Sequence, residues 1–122
     1  MKPLLNYIGG SFVPADSAKT LENINPATNE VITTIPRSSS TDVNNATVAA
    51  INAEGAWKAT TFEDRIRWLD RIADALEAKA EQIAQLETMD TGKPISLSRR
   101  VDAARSVSNF RFFANYAREQ EP

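Results

Sequence analysis

The sequence predicts a mostly helical chain that opens on a small antiparallel β region. A hairpin and strands are expected over residues 1–40, and three helices over residues 41–118. Three observations carry this. Gly9-Gly10 lies between two short β-prone runs, and the apolar spacing changes from alternation to a helical period near residue 40. One amphipathic stripe then persists for more than about five turns.

In Tyr7-Ile8-Gly9-Gly10-Ser11-Phe12-Val13 the paired glycines accept the positive φ angles of a tight hairpin turn, and Pro14 ends the segment. Leu21-Glu22-Asn23-Ile24-Asn25 alternates and reads as a strand. Asn25-Pro26-Ala27-Thr28-Asn29 is turn chemistry, with Asn29 suited to the left-handed region. Val31 to Ile35 is β-branched and closes at Pro36. Ser40 or Thr41 is then placed to cap a helix with Val43, Ala46, Ala50, Ala53 and Trp57 on one face, interrupted by Gly55 and the polar run from Lys58. Thr61 with Asp64 resembles a capping box at the head of a long second helix. Its stripe is Ile66, Leu69, Ile72, Ala73, Leu76, Ala80, Ile83 and Leu86. Gly92 and Pro94 stop it, glycine past the end and proline beyond. A third helix runs from about Ile95 or Leu97 to about Ala117, and its second half, Phe110 to Tyr116, is apolar on nearly every side. Residues 119–122 read as a cut end or tail.

Composition bounds the chemistry. At 122 residues the chain is one domain or a piece of a larger one. Fourteen basic against 16 acidic residues give a net charge of −2, which offers no electrostatic reason for nucleic acid or an anionic membrane as partner. With no cysteine there is no disulfide and no thiol nucleophile in the chain; with no histidine the commonest general base is missing too. No apolar run approaches the roughly 20 residues that span a bilayer. Met1 to Asn6 does not read as a secretory signal, so a cytoplasmic setting is expected.

Two features stand out against this background. Asp90 falls in the last turn of the second helix, where the dipole disfavours an anion, so a compensating partner is expected. Arg99, Arg100, Arg105, Arg111 and Arg118 crowd the third helix but scatter around it, which favours solvated or intrachain-paired arginines over a nucleic-acid stripe.

Tyr7 to Val13, Ile24-Asn25-Pro26-Ala27-Thr28, Trp57, Asp64-Arg65 and Leu86 to Pro94 occur together in an order that resembles the start of the aldehyde dehydrogenase superfamily. The resemblance runs from about residue 6 to about residue 118. It implies an α/β family fold of which this chain covers the N-terminal part, with residues 41–118 packing on a cofactor domain that binds NAD or NADP. In that family a cysteine thiolate attacks the aldehyde, hydride passes to the nicotinamide, and a glutamate-activated water releases the acid. The resemblance therefore implies no catalytic residue and no dinucleotide-binding residue in this chain, which would be inactive alone. It also implies a homo-oligomer, with the rest of the polypeptide and a small aldehyde as partners.

Asp90 matches an aspartate that in many members helps bind a structural monovalent cation, with a main-chain carbonyl near Ile24; a local hydrogen bond to the Thr91-Gly92 turn is the alternative. The stretch Val101 to Ala114 resembles the 2-aminomuconate and 2-hydroxymuconate semialdehyde dehydrogenase branch. There the arginine matching Arg105 contacts a substrate carboxylate and this helix lines the substrate tunnel, which places Val101 beside it; an ion-paired surface arginine is the alternative. The branch usually has Ile-Pro where this chain has Ala103-Ala104. A rival to the enzyme reading is a truncated, non-enzymatic helical module that works through its apolar third helix.

Overall fold

Two adjacent glycines decide the first element. Gly9 and Gly10 sit at φ of 59° and 84°, and this turn pairs β1 (Asn6–Ile8) with β2 (Ser11–Val13) in antiparallel register, Tyr7 opposite Phe12. A side chain at either glycine would be strained. The computed structural model describes residues 1–120, and the chain divides into two units, Met1–Ala59 and Thr60–Pro122. Within the 119–122 tail, residues 121–122 lie outside the described residues.

In the first unit, β3 (Thr20–Ile24) pairs antiparallel with β4 (Val31–Pro36), with an irregularity between Asn23 and Ile24. The connecting turn forms as its chemistry dictates. The Asn25 side chain accepts from Ala27 N–H at 2.9 Å, and Asn29 takes φ of 60°. Ala18 also lies at positive φ, 55°, which alanine's composition-level preferences do not announce. Residues 1–4 run beside β4: Leu4 N–H donates to Thr34 O at 2.9 Å and the Thr33 hydroxyl to Lys2 O at 2.8 Å.

Helix α1 (Ser40–Lys58) completes this unit. Its cap is Ser39 rather than Ser40 or Thr41, because Asp42 is three residues on and its carboxylate accepts from Ser39 N–H at 2.7 Å. The same carboxylate accepts from Asp16 N–H at 2.9 Å, tying the β region to the helix. These backbone donors, that of Ser39 first, hold the buried Asp42 carboxyl below its ordinary range. The helix continues through Gly55, and Val43 and Trp57 stay exposed.

In the second unit Thr61 caps α2 (Phe62–Ala78) with the expected capping box: its hydroxyl accepts from Asp64 N–H at 3.1 Å, and its N–H donates to the Asp64 carboxylate at 3.2 Å. The long second helix is two helices. Lys79, at φ −112° and ψ 12°, breaks it, and α3 (Ala80–Thr91) restarts with Ala84 as its buried residue. The break lets each half present its own face instead of one continuous stripe. Gly92 at φ 73° ends α3, its N–H bonded to Thr88 O at 2.9 Å.

The third helix begins as expected at Ile95 but changes type along its length: a short α4 (Ile95–Leu97), a π-helical stretch (Ser98–Ala103) and α5 (Ala104–Glu119). Helix α5 packs along α2, and the π-helical stretch packs on α3. The fully buried residues here are small: Ala73, Ala84, Ala103, Ala114 and Ser98, each at or below 2% exposure, beside Ile66 and Val107. On the opposite side of α5, Phe112, Phe113 and Tyr116 are 61%, 58% and 52% exposed. No helix among the described residues is long and apolar enough to cross a membrane.

Close packing through alanines has a measurable consequence. Ala114→Leu should destabilise the α2–α5 pair by about 1–3 kcal/mol, since extra methylenes have no room there. Phe113→Leu, on the exposed side, should change stability by less than about 0.5 kcal/mol. Urea unfolding followed by helical circular dichroism separates them; equal effects would place the α2 contact elsewhere on α5.

Acid should act on two identifiable groups. The Thr61 hydroxyl, and Arg67 after it, hold Asp64 at about 2 against an ordinary 3.8; Arg99, and Gln85 after it, hold Glu81 at about 2 against 4.5. Both are depressed in the folded chain, so their contribution is complete above about 4.5 and is lost as pH falls toward about 2. Glu81→Gln should flatten the acid limb of a stability–pH curve over that window, and an unchanged limb would show that the Arg99 contact does not persist in solution.

Candidate functional site

The turn that follows α3 assembles a set of charged and hydroxyl groups. Gly92 reverses the chain, and Pro94 O accepts the N–H groups of Leu97 at 2.9 Å and Ser98 at 3.3 Å, which starts the next helix. Lys93, between them, reaches both neighbouring elements. Its Nζ lies 2.7 Å from Glu87 Oε1 on α3 and 2.9 Å from Asp102 Oδ2 in the π-helical stretch. These two hydrogen bonds, Glu87's the larger, raise the Lys93 pKa. The buried Ser98 hydroxyl meets the Thr88 hydroxyl at 2.9 Å, and Arg99 donates twice to Glu81, at 2.8 and 2.6 Å.

Val101 and Arg105 lie just beyond this turn. Val101 is half-buried within the π-helical stretch; Arg105 is exposed at the second position of α5. Most of the neighbouring arginines have carboxylates. Arg111 donates to Asp74 at 3.0 Å and to Glu77 at 2.5 Å, and Arg118 bonds Asp70 and Asn115. Among the described residues no carboxylate pairs with the Arg105 guanidinium, and the same is true of Arg100. An unpaired guanidinium presents a planar set of donors matched to a carboxylate.

Asp90 occupies the last turn of α3 in the second unit, and Ile24 closes β3 in the first, 43% exposed. Among the described residues no group of three or more His, Cys, Asp or Glu side chains is placed to hold a metal ion.

Gly9 and Gly10 close a hairpin, Gly55 lies inside α1 and Gly92 ends α3, so no glycine opens the strand–loop–helix junction that cradles a pyrophosphate. The 122 residues include no cysteine or histidine to act as thiolate or imidazole base.

In the sequence Gly92 and Pro94 mark a helix stop, and nothing beside them marks Lys93 as a link. The acidic residues at 87 and 102 were visible, but pairing them with Lys93 requires the reversal at Gly92 and the altered helical phase after Pro94.

Comparison with known proteins agrees with this organisation. The aldehyde dehydrogenase family model matches residues 12–122. The 2-aminomuconic semialdehyde dehydrogenase of Danio rerio is 44% identical over 112 residues, covering 92% of this chain and 23% of the relative. Acetaldehyde dehydrogenase 2 of Cupriavidus necator is 40% identical over 116 residues, 95% of this chain and 23% of the relative. The solved structure of PnpE in complex with nicotinamide adenine dinucleotide superposes with a TM-score of 0.92 at 38% identity, covering 99% of this chain and 25% of that one. The chain thus spans about a quarter of the length of these relatives. With a family model matched along nearly its whole length, and the same fold in a solved relative, the chain belongs to the aldehyde dehydrogenase family.

Proposed function

We propose that this chain is the N-terminal portion of an NAD(P)-dependent aldehyde dehydrogenase that oxidises an aldehyde carrying a remote carboxylate to the acid. The observation that carries the substrate class is Arg105. It is exposed and has no carboxylate partner among the described residues, on a helical segment whose Arg99, Arg111 and Arg118 are all paired. Arg100 shares that property; similarity to the muconic semialdehyde branch selects Arg105. In this reading Arg105 takes the substrate carboxylate through two N–H donors, and Val101 lines the path beside it. A semialdehyde dehydrogenase at 44% identity supports the assignment, and an acetaldehyde dehydrogenase at 40% sets the competing, uncharged substrate.

The nucleophile, the base and the nucleotide site belong, in this proposal, to polypeptide outside residues 1–122. The exposed face of Phe112, Phe113 and Tyr116 supports such a complement, because apolar patches of this kind mark contact surfaces. A homo-oligomer, and a structural monovalent cation held by Asp90 with the Ile24 carbonyl, are further parts of the proposal that rest on family resemblance; a cytoplasmic setting is proposed with them. The same aromatic face would serve the rival reading, a non-enzymatic interaction module.

The 122-residue chain alone should give no aldehyde-dependent reduction of NAD or NADP above blank, because it has no thiol to attack the carbonyl. Purified, thiol-free chain assayed by absorbance at the reduced nicotinamide band tests this, and turnover there would overturn the assignment of chemistry to other segments. In the full-length enzyme, Arg105→Ala should lower kcat/KM for a muconic-type semialdehyde about 10-fold to 100-fold while an uncharged aliphatic aldehyde loses little. Equal losses on both substrates would make Arg105 structural and reduce the assignment to an unspecified aldehyde.

A further inference from the structure

The π-helical stretch Ser98–Ala103 ends two residues before Arg105. A π-helix bonds i to i+5, one residue more in each hydrogen-bonded loop than an α-helix, so it shifts the phase of everything that follows. If Ser98–Ala103 closed into regular α-helix, α5 would rotate about its axis relative to α3 and Arg105 would leave the helix in another direction. Such stretches are rare and frequently lie at functional sites, and contacts outside the helix can hold one in place. Here those contacts are specific. Lys93 bridges Glu87 on α3 and Asp102 inside the stretch, at 2.7 and 2.9 Å. The three side chains are 26%, 35% and 32% exposed, so water screens them less than a surface pair. The Thr88–Ser98 hydroxyl contact pins the start of the stretch, and the Ser106 hydroxyl donates to Asp102 O at 2.9 Å beside its end. Ser98 and Arg99 are tied to α3 at the start of the stretch, and Asp102 is the point nearest its end, three residues before Arg105, at which it is held to α3.

We propose that Lys93 is a positioning residue for substrate selection. By bridging Glu87 and Asp102 it holds the π-helical phase of Ser98–Ala103 and so the direction in which Arg105 meets a carboxylate-bearing aldehyde. The inference rests on the reading of Arg105 given above and adds a residue that does not itself touch substrate. Gly92-Lys93-Pro94 is then both a helix stop and the support of a specificity element.

The test uses the full-length enzyme that contains this segment. Lys93→Met keeps an unbranched side chain as far as Cε and removes the ammonium; Lys93→Arg keeps the charge and offers donors to both carboxylates. Steady-state kcat and KM are measured with a semialdehyde bearing a remote carboxylate and with an uncharged aliphatic aldehyde. Lys93→Met should raise KM for the carboxylated substrate about tenfold, the order of one misaligned charge-assisted contact, with kcat changed less than about twofold and the aliphatic substrate unaffected. Lys93→Arg should restore most of the selectivity. In an Arg105→Ala background, Lys93→Met should add no further loss of selectivity, since both changes remove one effect.

If Arg105→Ala lowers selectivity and Lys93→Met does not, or if Lys93→Met weakens both substrates equally, Lys93 only supports the fold and the positioning role is overturned while the Arg105 reading stands. If Arg105→Ala leaves selectivity unchanged, the Arg105 reading falls and this inference falls with it. Should Lys93→Met fail to fold, Asp102→Asn removes the charge on the stretch without altering its shape, and the same selectivity ratio decides.

Discussion

The second unit depends on how closely its helices approach, and that approach depends on small side chains. Ala73 and Ala114 are buried where α2 and α5 run together, and Ala84, Ser98 and Ala103 where α3 receives the π-helical stretch. A residue without a long side chain lets two backbones come near, but it removes little apolar area from water. The larger side chains are therefore left at the margins: Ile72, Trp68, Phe112, Phe113 and Tyr116 all keep more than a third of their surface. A unit arranged this way is well defined in geometry and thin in hydrophobic content. Its ion pairs, Arg99 with Glu81 and Arg111 with Asp74 and Glu77, lie at the rim, where each contributes little by itself.

Polar contacts accordingly fix direction more than they supply stability. In the first unit Asp42 gathers donors from Ser39 and Asp16, so one carboxylate both starts α1 and locates the segment after the hairpin. In the second, Lys93 links the end of one helix to the phase of the next. Both are single side chains that join neighbouring segments.

Features governed by a few adjacent residues were legible in the sequence. The Gly9-Gly10 hairpin, the left-handed Asn29, the Thr61–Asp64 capping box and the Gly92 stop each follow from local backbone preference. The break at Lys79 and the π-helical stretch were not legible, because nothing in Ala78-Lys79-Ala80 or Ser98 to Ala103 opposes a regular helix. Both coincide with small residues turned inward, Ala84 after the break and Ser98 and Ala103 at the ends of the stretch. The apolar stripe of α1 was visible as a pattern, yet Val43 and Trp57 stay exposed, since helical spacing announces a face and not what covers it. Arg105 could be singled out by resemblance. That among the described residues it has no carboxylate where Arg99, Arg111 and Arg118 do is a property of three dimensions alone.

The division at Ala59 and Thr60 also distributes the chromophores. Trp57 lies near the end of the first unit and Trp68 in α2 of the second, where the Arg71 guanidinium stands 4.5 Å from its ring centre. Each unit therefore contains a single indole, and the cation over the second gives it a different electrostatic surrounding. Emission from the two rings is separable by replacing one with phenylalanine at a time, so the chain carries its own optical reporter for each half.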